Sequence, residues 1–135
     1  MQIVICYLRI NQVHMKTILL VEDDPFLIDI YSTKLKEAGF VVEVAQDGDE
    51  ALNKVRELMP DLVLLDIVLP AMNGWEILRE IKKDDKLNGL KIIVLSNLGE
   101  KEDVEKGMKN GADRYLVKAH YTPTEVIKEI KDILG

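Results

Sequence analysis

The chain has 135 residues, 47% of them apolar and 31% charged, a composition typical of a folded domain rather than a disordered or fibrous segment. Twenty-four acidic residues against 18 Lys and Arg give a net charge of -6, which argues against a broad nucleic-acid-binding face. The single cysteine, Cys6, rules out an internal disulfide framework and suits a reducing cytoplasm, where we expect the protein to act.

Residues 1–14 do not fit the pattern that follows them. Their apolar stretch, residues 3–8, has neither the basic leader nor the cleavage site of a signal peptide, and no run in the chain reaches the length of a membrane span. We interpret residues 1–14 as an N-terminal extension that arises from cloning or from an upstream start site. Residues 15–135 are then expected to form one domain.

From residue 17 onward, short β-branched runs alternate with amphipathic helical patterns, which predicts a parallel sheet covered on both faces. The first, third and fourth runs are almost continuously apolar, as in central strands, whereas the second alternates and is expected at an edge. The predicted strands cover residues 17–21, 40–45, 62–66, 91–95 and 114–117.

Capping residues mark the ends of the helices between these strands. The pair Asp24-Pro25 predicts the start of the first helix. Asp47 and Thr122, each followed three residues later by Glu, predict capping boxes at the second and fifth helices. Gly74 opens the third helix, and the fourth, at about residues 100–110, has the weakest apolar stripe.

Five strands alternating with five helices predict an α/β fold of the flavodoxin-like, doubly wound (βα)5 type. Its five-stranded parallel sheet has the order 2-1-3-4-5, with helices on both faces. Ligands in such folds bind at the carboxyl ends of the strands, beside the switch point between strands one and three. Functional residues are therefore expected just after Val21 and at Asp66.

Acidic side chains occupy that edge. Glu22, Asp23 and Asp24 follow strand one, and Asp66 ends strand three. Converging carboxylates repel by about 4 kcal/mol per close pair at an effective dielectric of 20, so a compensating cation is expected. Oxygen ligands favour Mg²⁺ over zinc. The alternative is that Asp24 only caps helix one while Glu22 and Asp23 are solvated loop acids.

Strands four and five end in a hydroxyl and an ammonium group. Ser96 follows the fourth strand and Lys118 the fifth, and each alone is an ordinary loop residue. Together with the acids, they provide a nucleophilic carboxylate, a metal site, a hydrogen-bond donor and a fixed cation. These are the groups needed to transfer a phosphoryl group to an aspartate.

Residues 17–134 resemble the receiver domain of two-component response regulators through four motifs in order. These are LLVEDDP at 19–25, LLDIVLPAMNG at 64–74, VLS at 94–96 and GADRYLVK at 111–118. The resemblance implies that Asp66 is the phosphoacceptor. It implies that Ser96 and Lys118 contact the phosphoryl group. The Mg²⁺ ligands that it implies are Asp23, Asp24, Asp66 and the backbone carbonyl of Val68.

The resemblance also implies how a signal leaves the site. Tyr115 occupies the family's aromatic switch position: as the Ser96 hydroxyl moves toward the phosphoryl group, the tyrosine ring turns inward and changes the face formed by helix four, strand five and helix five. The implied donor is a sensor histidine kinase or histidine phosphotransfer protein. The implied recipient is a protein at that face, without direct contact to nucleic acid or membrane, and a homodimer that forms on phosphorylation is compatible with it.

Such a protein is a signalling switch that catalyses its own phosphorylation and dephosphorylation rather than a metabolic enzyme.

Two residues depart from the family pattern. Ala119 stands where proline usually follows the lysine, often through a cis bond; because a non-proline cis bond costs about 2.5 to 4 kcal/mol, a trans bond and a changed position of Lys118 are expected. Asn97 follows Ser96 where a small residue is usual, which narrows access to the site.

Three alternative functions differ from this one in the residues that they require. A Mg²⁺-dependent aspartyl phosphatase of the haloacid dehalogenase type needs a second Asp two residues after the nucleophile, where this chain has Val68. A flavodoxin needs a Ser/Thr-rich phosphate loop, whereas the acids at 22–24 would repel a phosphate. A pseudo-receiver that binds proteins without phosphorylation remains the main alternative, because of Asn97 and Ala119.

Overall fold

A computed structural model describes residues 15–87 and 89–135, and in it five parallel strands form one sheet of order β2-β1-β3-β4-β5. The strands are β1 (Thr17–Val21), β2 (Val41–Ala45), β3 (Leu62–Leu65), β4 (Lys91–Ser96) and β5 (Arg114–Val117). The predicted fold class, the strand order and the edge position of the second strand are confirmed. The predicted extension at residues 1–14 lies outside the described residues.

Five α-helices alternate with the strands. They are α1 (Pro25–Glu37), α2 (Gly48–Leu58), α3 (Gly74–Lys83), α4 (Lys101–Lys109) and α5 (Pro123–Leu134), with short 3-10 turns at Asp85–Leu87 and Lys118–His120. Within the described parts of the chain, no helix is both long and apolar enough to cross a membrane.

One of the two predicted capping boxes is complete. The Thr122 hydroxyl accepts the Glu125 amide of α5, and the Glu125 carboxylate accepts the Thr122 amide. At α2, Asp47 accepts the Glu50 amide at 2.9 Å, but the Glu50 carboxylate accepts the amide of Gln46 instead of that of Asp47. The second box is therefore only half formed, because the returning carboxylate reaches one residue further back.

Apolar side chains alternate between the two faces of the sheet, so each face has its own core. Leu19 and Val21 of β1 lie in the cluster that packs against α2 and α3, whereas Ile18 and Leu20 lie in the cluster that packs against α1 and α5. The apolar residues of β1, β3 and β4 are buried on both faces, as their continuous apolar runs predict.

The strand register brings the ends of β1 and β3 together. Val21 pairs with Leu65, and the amide of Asp66 donates to the Val21 carbonyl at 3.1 Å. The residues that follow the two strands, Glu22 and Asp66, therefore leave the sheet side by side. This edge is where the sequence places the functional residues.

Candidate functional site

Lys118 lies between two buried carboxylates. Its Nζ atom is 2.7 Å from Glu22 Oε1 and 2.9 Å from Asp66 Oδ2, and the three side chains are only 12%, 4% and 9% exposed. Burial alone would lower the pKa of the Lys118 ammonium, but hydrogen bonds to Glu22 and Asp66, and their charges, raise that pKa above its ordinary value. Lys118 is thus a fixed cation at the carboxyl edge of the sheet.

Glu22 is held in place by its whole carboxylate. While Oε1 accepts from Lys118, Oε2 accepts the amide of Asp23 at 3.0 Å and that of Asp24 at 3.2 Å. Its own amide donates to the Ala45 carbonyl of β2 at 3.0 Å. Glu22 therefore fixes both the loop that follows β1 and the ammonium group of Lys118.

Three carboxylates converge beside Lys118. Oxygen atoms of Glu22, Asp23 and Asp66 all lie within 4.8 Å of one another; Glu22 and Asp66 are buried, and Asp23 is exposed. At that separation each pair repels by about 3.5 kcal/mol at an effective dielectric of 20, so one lysine does not balance the cluster. A group of hard oxygen ligands that is open to solvent on one side fits Mg²⁺, the ion that the resemblance implies.

Asp24 does not belong to this cluster. Its side chain is exposed, and its Oδ1 accepts the amide of Phe26 at 2.9 Å, so it caps the amino end of α1. The acid that reaches the cluster from the same loop is Glu22, which the sequence places at this edge but which the resemblance does not include among the metal ligands. Position alone could have indicated it, because Glu22, Asp66 and Lys118 are each the first residue after a strand.

A close backbone contact shapes the loop that carries Asp66. Asp66 Oδ1 accepts the amide of Val68 at 3.3 Å, and the Gly74 amide donates to the Ile67 carbonyl at 2.7 Å. A Cβ atom at position 74 would lie 2.6 Å from the Asp66 carbonyl oxygen and from the Ile67 Cα. Only glycine permits α3 to begin this close to the Asp66 loop.

Ser96 and Tyr115 both bind the backbone of Leu98. Ser96 is fully buried at the end of β4, and its Oγ accepts the Leu98 amide at 3.2 Å. The Tyr115 hydroxyl, from β5, donates to the Leu98 carbonyl at 2.6 Å. Burial raises the pKa of that hydroxyl, and the neighbouring Ser96 side chain partly opposes the rise. The two predicted switch residues thus meet at one residue of the β4–α4 loop.

The Tyr115 ring packs between α3 and α4. It stacks on the Trp75 ring with 6.4 Å between centroids and 21° between planes. A Cβ atom at Gly107 would lie only 2.5 Å from the tyrosine ring. On Trp75 lies the Lys106 ammonium, 4.6 Å from the ring centroid.

Tyr31 of α1 is a neighbour of the site that sequence reasoning missed. The side chain is 4% exposed and belongs to the core on the α1 face. Burial raises the pKa of its hydroxyl; the Lys118 charge acts against this rise and the Glu22 charge adds to it. Nothing in the local sequence distinguishes Tyr31 from other apolar-face residues of an amphipathic helix.

The two departures from the family pattern leave the charged groups together. No cis peptide bond occurs among the described residues, so the bond between Lys118 and Ala119 is trans, yet Lys118 still reaches Asp66. Ala119 and Asn97 are both exposed. The expected change in the position of Lys118 therefore does not separate it from the acids.

Known proteins resemble the chain over nearly all of the described residues. The sequence model for the response regulator receiver domain matches residues 18–131. The DNA-binding response regulator MtrA of Mycolicibacterium smegmatis is 40% identical over 114 residues, which are 84% of this chain and 48% of MtrA. The chain spans about half the length of the curated relatives it matches.

Solved structures with the same fold include other receiver domains. A CheY-like response regulator receiver domain protein from Methanospirillum hungatei has a TM-score of 0.82 and 32% identity, covering 89% of this chain and 94% of that one. The BeF3-activated receiver domain of DrrB has a TM-score of 0.79 and 33% identity, covering 89% and 97% respectively.

Proposed function

Because the chain belongs to the response regulator receiver domain family, we propose that it is a signalling switch whose Asp66 accepts a phosphoryl group from a histidine kinase or a histidine phosphotransfer protein. The observation that carries this proposal is the contact between Lys118 Nζ and Asp66 Oδ2 at 2.9 Å, at the switch point of the sheet. A buried carboxylate beside a fixed ammonium is suited to take up a phosphoryl group and to hold its charge.

In the proposed transfer, a carboxylate oxygen of Asp66 attacks the phosphorus atom while the bond from phosphorus to the donor's histidine nitrogen breaks. The imidazole keeps the electron pair of that bond, and the phosphoryl group becomes an acyl phosphate on Asp66. Lys118 donates to a phosphoryl oxygen, and the Ser96 hydroxyl to another. Lys118 already contacts Asp66, whereas Ser96, at the end of β4, must turn from the Leu98 amide to reach the phosphoryl group.

For the metal site, we propose Asp23, Asp66 and the backbone carbonyl of Val68 as ligands, with Glu22 as the third acid of the cluster. Bound Mg²⁺ would supply positive charge against the phosphoryl oxygens. Support comes from the carboxylate cluster and from the exposure of Asp23, through which the site opens to solvent. The resemblance also implies Asp24 as a ligand, but the N-cap bond of its carboxylate favours a role in α1.

The output of the switch is proposed to pass through Ser96 and Tyr115. When Ser96 turns to a phosphoryl oxygen, its bond to the Leu98 amide is lost, and the loop before α4 is free to rearrange. Tyr115 carries the change to the face formed by α4, β5 and α5, where a partner protein or a second copy of the chain binds. For residues 15–135 we propose a receiver function alone, and not the DNA binding of the longer relatives. We also propose that the protein acts in the cytoplasm.

Intact-mass analysis after incubation with acetyl phosphate tests this function. Wild type with Mg²⁺ should gain one phosphoryl group, whereas Asp66→Asn, and wild type without metal, should gain none. Asp24→Asn serves as the matched control for Asp23→Asn: we expect only the latter to weaken Mg²⁺ binding. A folded, Mg²⁺-binding wild type that gains no mass would instead identify a pseudo-receiver that acts by protein binding alone.

A further inference from the structure

Trp75, the only tryptophan of the chain, follows Gly74 at the start of α3 and stacks on the Tyr115 ring. It is the second residue of α3 and is 8% exposed. One face of the indole stacks on Tyr115, and Lys106 of α4 lies over the ring. An offset aromatic stack of this spacing stabilises one orientation of both rings.

The backbone fixes Trp75 to the loop that carries Asp66. Its neighbour Gly74 donates to the Ile67 carbonyl at 2.7 Å, one residue after Asp66. Because a Cβ atom at position 74 would overlap the Asp66 carbonyl, the first turn of α3 lies directly against this loop. A displacement of the loop is therefore expected to shift the first turn of α3, which carries Trp75.

The other side of the stack joins the loop after β4. The Tyr115 hydroxyl donates to the Leu98 carbonyl, while Ser96 accepts from the Leu98 amide. Gly107 of α4 leaves just enough space for the tyrosine ring to lie inward. Tyr115 thus contacts the β4–α4 loop through its hydroxyl and, through its ring, the tryptophan of the helix that begins against the Asp66 loop.

We infer that Trp75 is a positioning residue for Tyr115, which stabilises the inward orientation of the tyrosine ring and ties that orientation to the Asp66 loop. The inference rests on the proposed function and on the switch that the resemblance implies, in which the tyrosine ring turns inward when a phosphoryl group is on Asp66. A ligand at Asp66 and the stack then favour the same arrangement. By linkage, removing the stack weakens binding of that ligand.

Calorimetric titration with beryllium fluoride in the presence of Mg²⁺ measures this linkage, because the beryllium complex mimics a phosphoryl group on a carboxylate. We expect Trp75→Leu to weaken binding about two- to tenfold, the range that one aromatic pair provides. Trp75→Phe retains a ring and should stay near wild type. In a Tyr115→Ala background, Trp75→Leu should have no further effect, since the ring that it positions is gone.

Gly107→Ala provides a second test that leaves the core intact. The added methyl group would lie 2.5 Å from the tyrosine ring, too close for both to keep their positions, and we expect the ring to turn out. Alanine favours a helix over glycine, so α4 is expected to remain folded. Gly107→Ala should weaken beryllium fluoride binding in the wild-type background and have no effect in the Tyr115→Ala background.

Equal losses from Trp75→Leu in both backgrounds would overturn the inference, because they would show a general structural role that is independent of Tyr115. Should Trp75→Leu fail to fold, an unchanged affinity in Gly107→Ala would overturn it as well. If wild type itself does not bind beryllium fluoride with Mg²⁺, the proposed function is what fails, and the inference falls with it.

Discussion

Replacing Lys118 by methionine removes the cation from the site while keeping a side chain of similar length. The ammonium group lies within 3 Å of both Glu22 and Asp66, and all three side chains are largely buried. The variant therefore leaves two carboxylates facing each other without a counterion among their present contacts. Its effect on stability measures how much the protein depends on this one charge.

The structure gives the size of the expected loss. The Glu22 and Asp66 carboxylate oxygens lie within 4.8 Å of each other, so their repulsion is at least about 3.5 kcal/mol at an effective dielectric of 20. Removing one partner of a buried ion pair costs about 3 to 5 kcal/mol. Because the lysine side chain retains 12% exposure, solvent screens part of the repulsion, and we expect a loss of about 3 kcal/mol for Lys118→Met.

Urea unfolding at neutral pH, followed by circular dichroism without Mg²⁺, measures this loss. Lys101→Met is the matched control: Lys101 lies 3.8 Å from Glu105, but the two side chains are 86% and 65% exposed. The control should change stability by less than about 0.5 kcal/mol. Adding Asp66→Asn to Lys118→Met should recover most of the loss, since one of the two facing charges is then removed.

Two results would contradict this reasoning. If Lys118→Met loses no more stability than Lys101→Met, solvent screens the site far better than its burial indicates. If the double variant with Asp66→Asn is as unstable as Lys118→Met alone, the loss comes from packing and not from repulsion between carboxylates.

Three further predictions concern the backbone and the pH dependence. Gly74→Ala should cost at least about 2 kcal/mol and slow phosphorylation, because its methyl group would overlap the Asp66 loop; Gly89→Ala, with no atom within 4 Å, is the control in the same urea assay. Met59→Gly should raise stability by about 0.5 to 1 kcal/mol, because Met59, the residue after α2, has a φ of 48°, a left-handed conformation that glycine adopts without strain. An unchanged urea midpoint would contradict this. Burial raises the pKa of Tyr31 above 10.0. The neutral hydroxyl therefore contributes fully to folding stability below about pH 10, and this contribution is lost as the pH rises through the folded-state pKa. Tyr31→Phe should therefore flatten the fall in melting temperature between about pH 9 and about pH 11, and an equally steep fall would refute this.

The fold was predictable because each local signal has one strong physical cause. Continuous apolar runs require burial on both faces, and capping residues such as Thr122 mark where a helix begins. Where two arrangements are close in energy, the sequence was a weaker guide. The Glu50 carboxylate, for example, accepts from Gln46 and not from Asp47, a choice between adjacent amides that no pattern in the sequence distinguishes.

The candidate site was predictable at strand ends and less so elsewhere. Asp66, Ser96 and Lys118 follow from the topology, since parallel strands end at one edge. The sequence does not show which of the consecutive acids after β1 faces the site. The position at which the strand ends decides this: Glu22 turns inward, whereas Asp24 caps α1. The stack of Trp75 on Tyr115 joins residues 40 positions apart in the chain, and pairings of that kind appear only once helices and strands are packed.

The reach of Lys118 across the sheet has a consequence for biosynthesis. Its two partners precede it by 52 and 96 residues, and it stands at the end of the last strand. A ribosome therefore produces these two acids long before the cation that pairs with them. Until β5 emerges and docks on β4, Glu22 and Asp66 lack the ammonium group that they contact in the folded protein. Lys118 thus joins Glu22 and Asp66 only after β5 has completed the sheet. A chain arrested before residue 118 has the two acids without their lysine.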